Sequence, residues 1–152
     1  MRYMKTVVVA IAALFGLQAL AEGNTWYVDN DNYGKPGMDG TKPETAYGTI
    51  QDAITNKTTE AGDTILVLPG VYDQGVARAT ASGGKSRLTR VFVTKANLTV
   101  RSTKGPDVTH IVGRFGAGAG EDGDDISCVC VSGKSCVLDG FTLRNGSAWG
   151  GF

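Results

Sequence analysis

Two stretches of this chain can be laid one over the other. VFVTKANLTVRS, residues 91–102, and VCVSGKSCVLDG, residues 129–140, lie 38 positions apart. Val91 meets Val129, Val93 meets Val131, Thr94 meets Ser132, Leu98 meets Cys136 and Val100 meets Leu138. In both copies apolar residues alternate with others, as along a strand with one buried face, and a three-residue turn separates two such strands. One strand–turn–strand unit cannot bury its apolar face alone. Two copies at a fixed offset therefore predict turns of chain that stack, each covering the next. On this reading Cys130 lies over Phe92 and Cys136 over Leu98, and the Gly-rich stretch 113–125 is a surface loop inserted within one turn.

The rest of the chain fits around that unit. Arg2 and Lys5, an apolar run over 6–17 and the small-residue site Ala19-Leu20-Ala21 read as a secretory signal over 1–21, cleaved after Ala21. The alternative is a retained membrane anchor, although the run is short for a bilayer. Residues 22–61 form an amino-terminal strand at Thr25–Val28, a turn-rich loop over 29–44 and one amphipathic helix. Tyr47, Ile50, Ala53 and Ile54 fall on one helical face, with Thr49 as N-cap and Asp52 three residues on. Over 62–152 short strands are expected at 64–68, 90–94, 98–102, 109–112, 127–132, 136–138 and 141–143.

Charge and cysteines narrow the partners. Without Arg2 and Lys5 the chain carries 13 basic and 15 acidic residues, close to neutral, and no nucleic-acid partner is expected. The charge is unevenly distributed, since residues 74–106 hold Arg78, Lys85, Arg87, Arg90, Lys95, Arg101 and Lys104 and no carboxylate. Two readings stay open there: an acidic-polysaccharide surface, or a solvated loop over 77–87. Cys128, Cys130 and Cys136 are three thiols in an apparently exported chain, so they cannot all pair within it. Residues two apart on a strand are separated by about 6.6 Å, at the outer limit of disulfide geometry. Small core residues are the first reading of the three, a disulfide or metal site the second.

The fold that these segments suggest is that of a known family. Gly62, Asp63, Ile65, Pro69, Gly70 and Tyr72 match in order a G-D-x-I-x-x-x-P-G-x-Y segment, and TWYVD, KPETAYGTIQDAI, LTVRSTKGP and VLDGFTLRNG accompany it over 25–145. In these features the chain resembles the amino-terminal end of right-handed parallel β-helix proteins, the pectin-lyase-like superfamily. The resemblance implies an all-β solenoid entered through a short capping helix. It says little about activity, since this architecture carries pectate lyases, polygalacturonases and surface adhesins alike. FTLRNGSAWGGF is similar to the turn of polymorphic outer-membrane-type repeats, which implies a surface protein.

No catalytic, cofactor-binding or metal residue can be assigned with this pattern. A lyase of the family needs grouped acidic residues for calcium beside an Arg or Lys base, and a hydrolase needs paired carboxylates. The nearest approach is Arg101 with Asp139, placed on successive turns by the offset of 38 and read as a surface ion pair or, alternatively, a catalytic pair. Asp29, Asp31 and Gly34 mimic the start of a calcium loop, but Tyr33 and Gly40 stand where ligands belong, so turn chemistry is favoured. His110 has no partner motif, and Gly116, Gly118 and Gly120 do not open a helix as a phosphate loop requires. The expected function is a secreted or cell-surface, non-catalytic β-helix module, structural or carbohydrate-contacting. The alternative is the amino-terminal part of a polysaccharide lyase or hydrolase with its groove in later turns.

The ending DGFTLRNGSAWGGF reads as an interior turn of a longer β-helix, stopping after about two to three turns. Phe141 and Leu143 are then expected to face an absent neighbour, beside a strand edge open to pairing with another chain.

Overall fold

The computed structural model describes residues 23–80, 86–116 and 125–147. The segment over 1–21 read as a signal, Lys85, most of the Gly-rich stretch 113–125 and Trp149 to Phe152 lie outside the described residues. Strands dominate: β1 Thr25–Val28, β2 Thr64–Val67, β3 Gly70–Tyr72, β4 Ala77–Thr80, β5 Ser86–Val93, β6 Thr99–Ser102, β7 Thr109–Val112, β8 Ile126–Val131, β9 Val137–Asp139 and β10 Thr142–Arg144. One short α-helix, α1, spans Ile50–Thr55. No helix among the described residues is long and apolar enough to cross a membrane.

Three sheets result. The first, in the order β1-β2-β6-β9, is wholly parallel, as is the second, β3-β7-β10. The third is mixed: β5 and β8 are parallel, and β4 runs antiparallel to β5. From β2 the chain visits the first, second and third sheets in turn, returns as β6, β7 and β8, and returns again as β9 and β10. Parallel neighbours need a long crossover, and here each crossover runs through the other two sheets. Val91 faces Val129 and Arg101 faces Asp139, so the two copies of the repeat pair in parallel at the offset of 38. The period is not uniform, since Thr25 faces Thr64 and Thr64 faces Thr99, separations of 39 and 35 residues.

Alternation along the strands decides which side chains meet inside. Val28, Ile65, Val67, Val91, Val93, Leu98, Val100 and Ile111 form the centre of one core, joined by Trp26, Tyr72 and the helix residues Ile50, Ala53 and Ile54. Tyr72 directs its hydroxyl at the carbonyls of Leu68 (2.8 Å) and Val28 (3.2 Å), which ties the second sheet to the first. Gly70 sits where a Cβ would come within 1.8 Å of Asn30 Oδ1, so a side chain there would have to displace the Asn30 amide.

The amino-terminal end of this stack is covered on all three sheets. On β1, Tyr27 N donates to Gly40 O and Tyr47 N donates to Tyr27 O, at 2.8 and 2.9 Å. A 3₁₀ turn at Asn30–Asn32 lies against β3. β5 is flanked by β4 over one half and by α1 over the other, where Gln51 Oε1 accepts from Phe92 N at 2.7 Å. Helix α1 starts as expected, with Thr49 Oγ1 accepting from Asp52 N (3.0 Å), and buries Ile50, Ala53 and Ile54. Lys95 holds the turn that follows α1, its Nζ donating to the C-cap carbonyl Asn56 O (3.0 Å) and to Thr59 O beyond the helix.

The other end differs along the same ladders. Trp26, Ile65, Val100 and Leu138 occupy one inward row, and their exposures are 8, 0, 0 and 36 %. Tyr72, Ile111 and Leu143 form another at 4, 0 and 51 %. Phe141, expected to be open, is instead partly buried against the core, and Leu143 is about half exposed.

Two strands were not expected. β3 opens on Gly70 directly after Pro69, a pair that reads as a turn rather than a strand. The solvated loop anticipated over 77–87 instead contains β4, whose Ala77 to Thr80 pair with Thr89 to Ser86 and whose Ala79 is buried at 4 % exposure. The remaining strands match the expectation to within a few residues at their ends, where hydrogen-bond ladders fade.

Candidate functional site

The outward row of the first sheet brings together Tyr27, Leu66, Arg101 and Asp139. Arg101 Nε lies 3.0 Å from Asp139 Oδ2, with both side chains more than half exposed. The expected pair therefore forms and its two charges neutralise one another in solvent. Such a pair contributes about 0–1 kcal/mol.

The other candidates are dispersed. His110 lies on the outward side of β7 between Val71 and Thr142, since its neighbour Ile111 is fully buried. Its Nδ1 is buried without a hydrogen-bond partner, and no carboxylate faces it across the ladder. Asp29 is engaged in the turn it opens, accepting from Asp31 N at 3.0 Å, and among the described residues no three metal-ligating side chains cluster.

All three cysteines are free. Cys128 belongs to the core and its thiol donates to Arg144 O, while the Cys136 thiol donates to Lys95 O and packs against the core. Cys130 faces Phe92 as the offset requires. Phe92, however, alternates with the core residues Val91 and Val93, so this pair lies on the opposite face and Cys130 is only half-buried.

The basic run is partly consumed by structure. Arg90 donates from Nε to Val112 O (2.8 Å) and from Nη1 to Gly75 O (2.7 Å), tying two corners together. Burial lowers its pKa, and nearby Arg114 adds to that, against the opposing pull of Asp73. Lys95 is held by the helix end and Arg101 by Asp139.

Among the described residues one carboxylate is buried, and sequence reasoning gave it no role beyond a motif match. Asp63, 2 % exposed, accepts from Trp26 Nε1 (2.8 Å), Asn24 N (2.7 Å) and Glu60 N (2.9 Å). Burial alone would push its pKa up; the three donors outweigh that and hold it below the ordinary carboxylate value. Its role is to clamp β1 to the start of β2. A Gly-Asp pair just before a strand, with a Trp in the facing strand, was the available signal.

Comparison with known proteins returned no match: no family model, curated protein or solved structure is similar to this chain.

Proposed function

We propose that this chain folds as a right-handed parallel β-helix entered through a capping helix, and serves outside the cell, secreted or surface-bound, as a non-catalytic structural module that contacts polysaccharide. The observation that carries the reading is the cyclic order of the sheets, in which β2, β3 and β5 are overlaid in parallel by β6, β7 and β8. Covered edges at the amino-terminal end support it, because stacked turns need a terminal cap. The mutual engagement of Arg101 and Asp139 supports a structural use of the one paired acid and base on the first sheet's outward row. Contact with an acidic polysaccharide would draw on Arg78 and Lys104, exposed and outside the contacts that hold Arg90, Lys95 and Arg101.

Polygalacturonate tests both halves. The protein should bind it at low salt, weaken as ionic strength rises, and release neither reducing ends nor unsaturated uronides. Release that Arg101→Ala abolishes would establish the lyase reading instead, and binding indifferent to salt would remove the electrostatic contact.

A further inference from the structure

Between the loop over 29–48 and helix α1 lies an open cleft of about 590 Å³, within the range of small-ligand sites. Its walls carry Tyr33, Tyr47, Lys35, Met38 and Asp52. We infer that this cleft binds an uncharged pyranose unit of a saccharide chain. The inference rests on the polysaccharide-contacting reading above and adds to it a second subsite, for neutral sugar units, away from the basic run.

Both tyrosines are held by close backbone approaches. A Cβ on Gly40 would come within 2.2 Å of the Tyr47 ring, and a Cβ on Gly48 within 2.5 Å of Tyr33 Cα, so glycine lets the loop lie against the Tyr47 ring and lets the backbone at Tyr33 approach the helix entry. The loop between them is braced. Asn32 Nδ2 donates to Ala46 O (3.0 Å), and Asp39 Oδ1 accepts from Thr41 N (3.0 Å), Thr41 Oγ1 (2.9 Å) and Thr45 Oγ1 (2.6 Å). A rigid wall loses little entropy when a ligand binds.

The chemistry of the wall selects the ligand. Tyr33 is 53 % exposed, a large apolar face that the fold leaves in water. Aromatic faces of this kind take the C–H face of a sugar ring. Asp52, exposed on the first turn of α1, offers two acceptor oxygens suited to adjacent hydroxyls. Burial, with Asp39 and Asp52 nearby, raises the pKa of Tyr47, so its hydroxyl stays a donor. A cationic ligand would meet Lys35, whose ammonium bonds Asn32 Oδ1 at 3.1 Å on the same wall, and an anionic one would meet Asp52. A neutral, hydroxyl-rich ring satisfies both.

Nitrogen–proton correlation spectra of the labelled protein, titrated with neutral gluco-, galacto- and manno-configured hexasaccharides, test the site. We expect saturable shifts at the amides of Gly34, Gly48 and Asp52 with at least one of the three. Tyr33→Ala should weaken that binding tenfold or more while the other amides keep their positions, and Tyr33→Trp should retain it. Absence of saturable shifts with all three sugars, or binding unchanged in Tyr33→Ala, overturns the inference. Uronide release in the polygalacturonate assay would defeat the non-catalytic reading without touching this result.

Discussion

Asn97 and Ser135 occupy equivalent corners of successive circuits, and both hold left-handed backbone at φ 56°. The corners are joined directly, Asn97 N donating to Lys134 O at 2.8 Å. Asparagine tolerates this conformation far better than serine. Ser135→Asn should therefore stabilise the protein by about 0.5 kcal/mol and Asn97→Ser destabilise it by a similar amount. Urea midpoints, compared at unchanged slope, measure both; a Ser135→Asn midpoint at or below that of the parent would contradict the corner equivalence.

Asp63 makes stability depend on acid. Its folded pKa is depressed, so its contribution is complete above the unfolded carboxyl value of about 3.9 and is lost as pH falls through the folded pKa. Asp63→Ala strands three donors, two backbone and one indole, and should cost about 3 kcal/mol at neutral pH. In thermal melts from pH 7 downward, the gap between parent and Asp63→Ala should narrow below about pH 4. A gap constant to the lowest pH would show that the carboxylate charge is not what matters.

Gln51 closes an edge that would otherwise be exposed. Gln51→Ala leaves Phe92 N–H without its acceptor and should cost about 1–2 kcal/mol. The more specific readout is hydrogen exchange: the Phe92 amide should lose protection while the amide of Val100, in the middle of the first sheet, does not.

The two ends of one ladder should respond unequally to the same change. Val100→Ala removes buried methyl groups and should cost about 1–3 kcal/mol, whereas Leu138→Ala, one strand on and 36 % exposed, should cost less than about 1 kcal/mol. Among the described residues β9 is paired on one side only, like β10, beside which an edge open to pairing was expected, so Leu138→Lys should lower any tendency to oligomerise in sedimentation experiments. Faster aggregation in Leu138→Lys than in the parent would place the contact elsewhere.

What could be read from the chain alone was whatever repeated or alternated. The offset of 38 is visible because Val91, Val93, Val129 and Val131 carry one alternation twice, and the pairing follows it residue for residue. The helix announced itself through Thr49 and three apolar positions. β3 was hidden because it opens on Gly70 directly after Pro69, a pair that reads as a turn, and β4 because Ala77 to Thr80 offer no large apolar side chain to mark a buried face. The face of Cys130 was misjudged because an offset specifies the neighbour, not the side of the sheet. The contacts of Asp63 and Gln51 were not legible for a different reason: their partners, Trp26 and Phe92, stand 37 and 41 residues away, so even the Gly-Asp signal before β2 does not say which donors the carboxylate meets.

The circuits are unequal in length yet agree in register. Thr25 reaches Thr64 after 39 residues, Thr64 reaches Thr99 after 35, Thr89 reaches Ser127 after 38, and His110 reaches Thr142 after 32. Differences of up to seven residues are absorbed at the corners, leaving the ladders in step. The corners thus act as an expansion joint for the sequence: residues added there lengthen a loop, while a single residue added within a strand turns every later side chain of that strand to the wrong face.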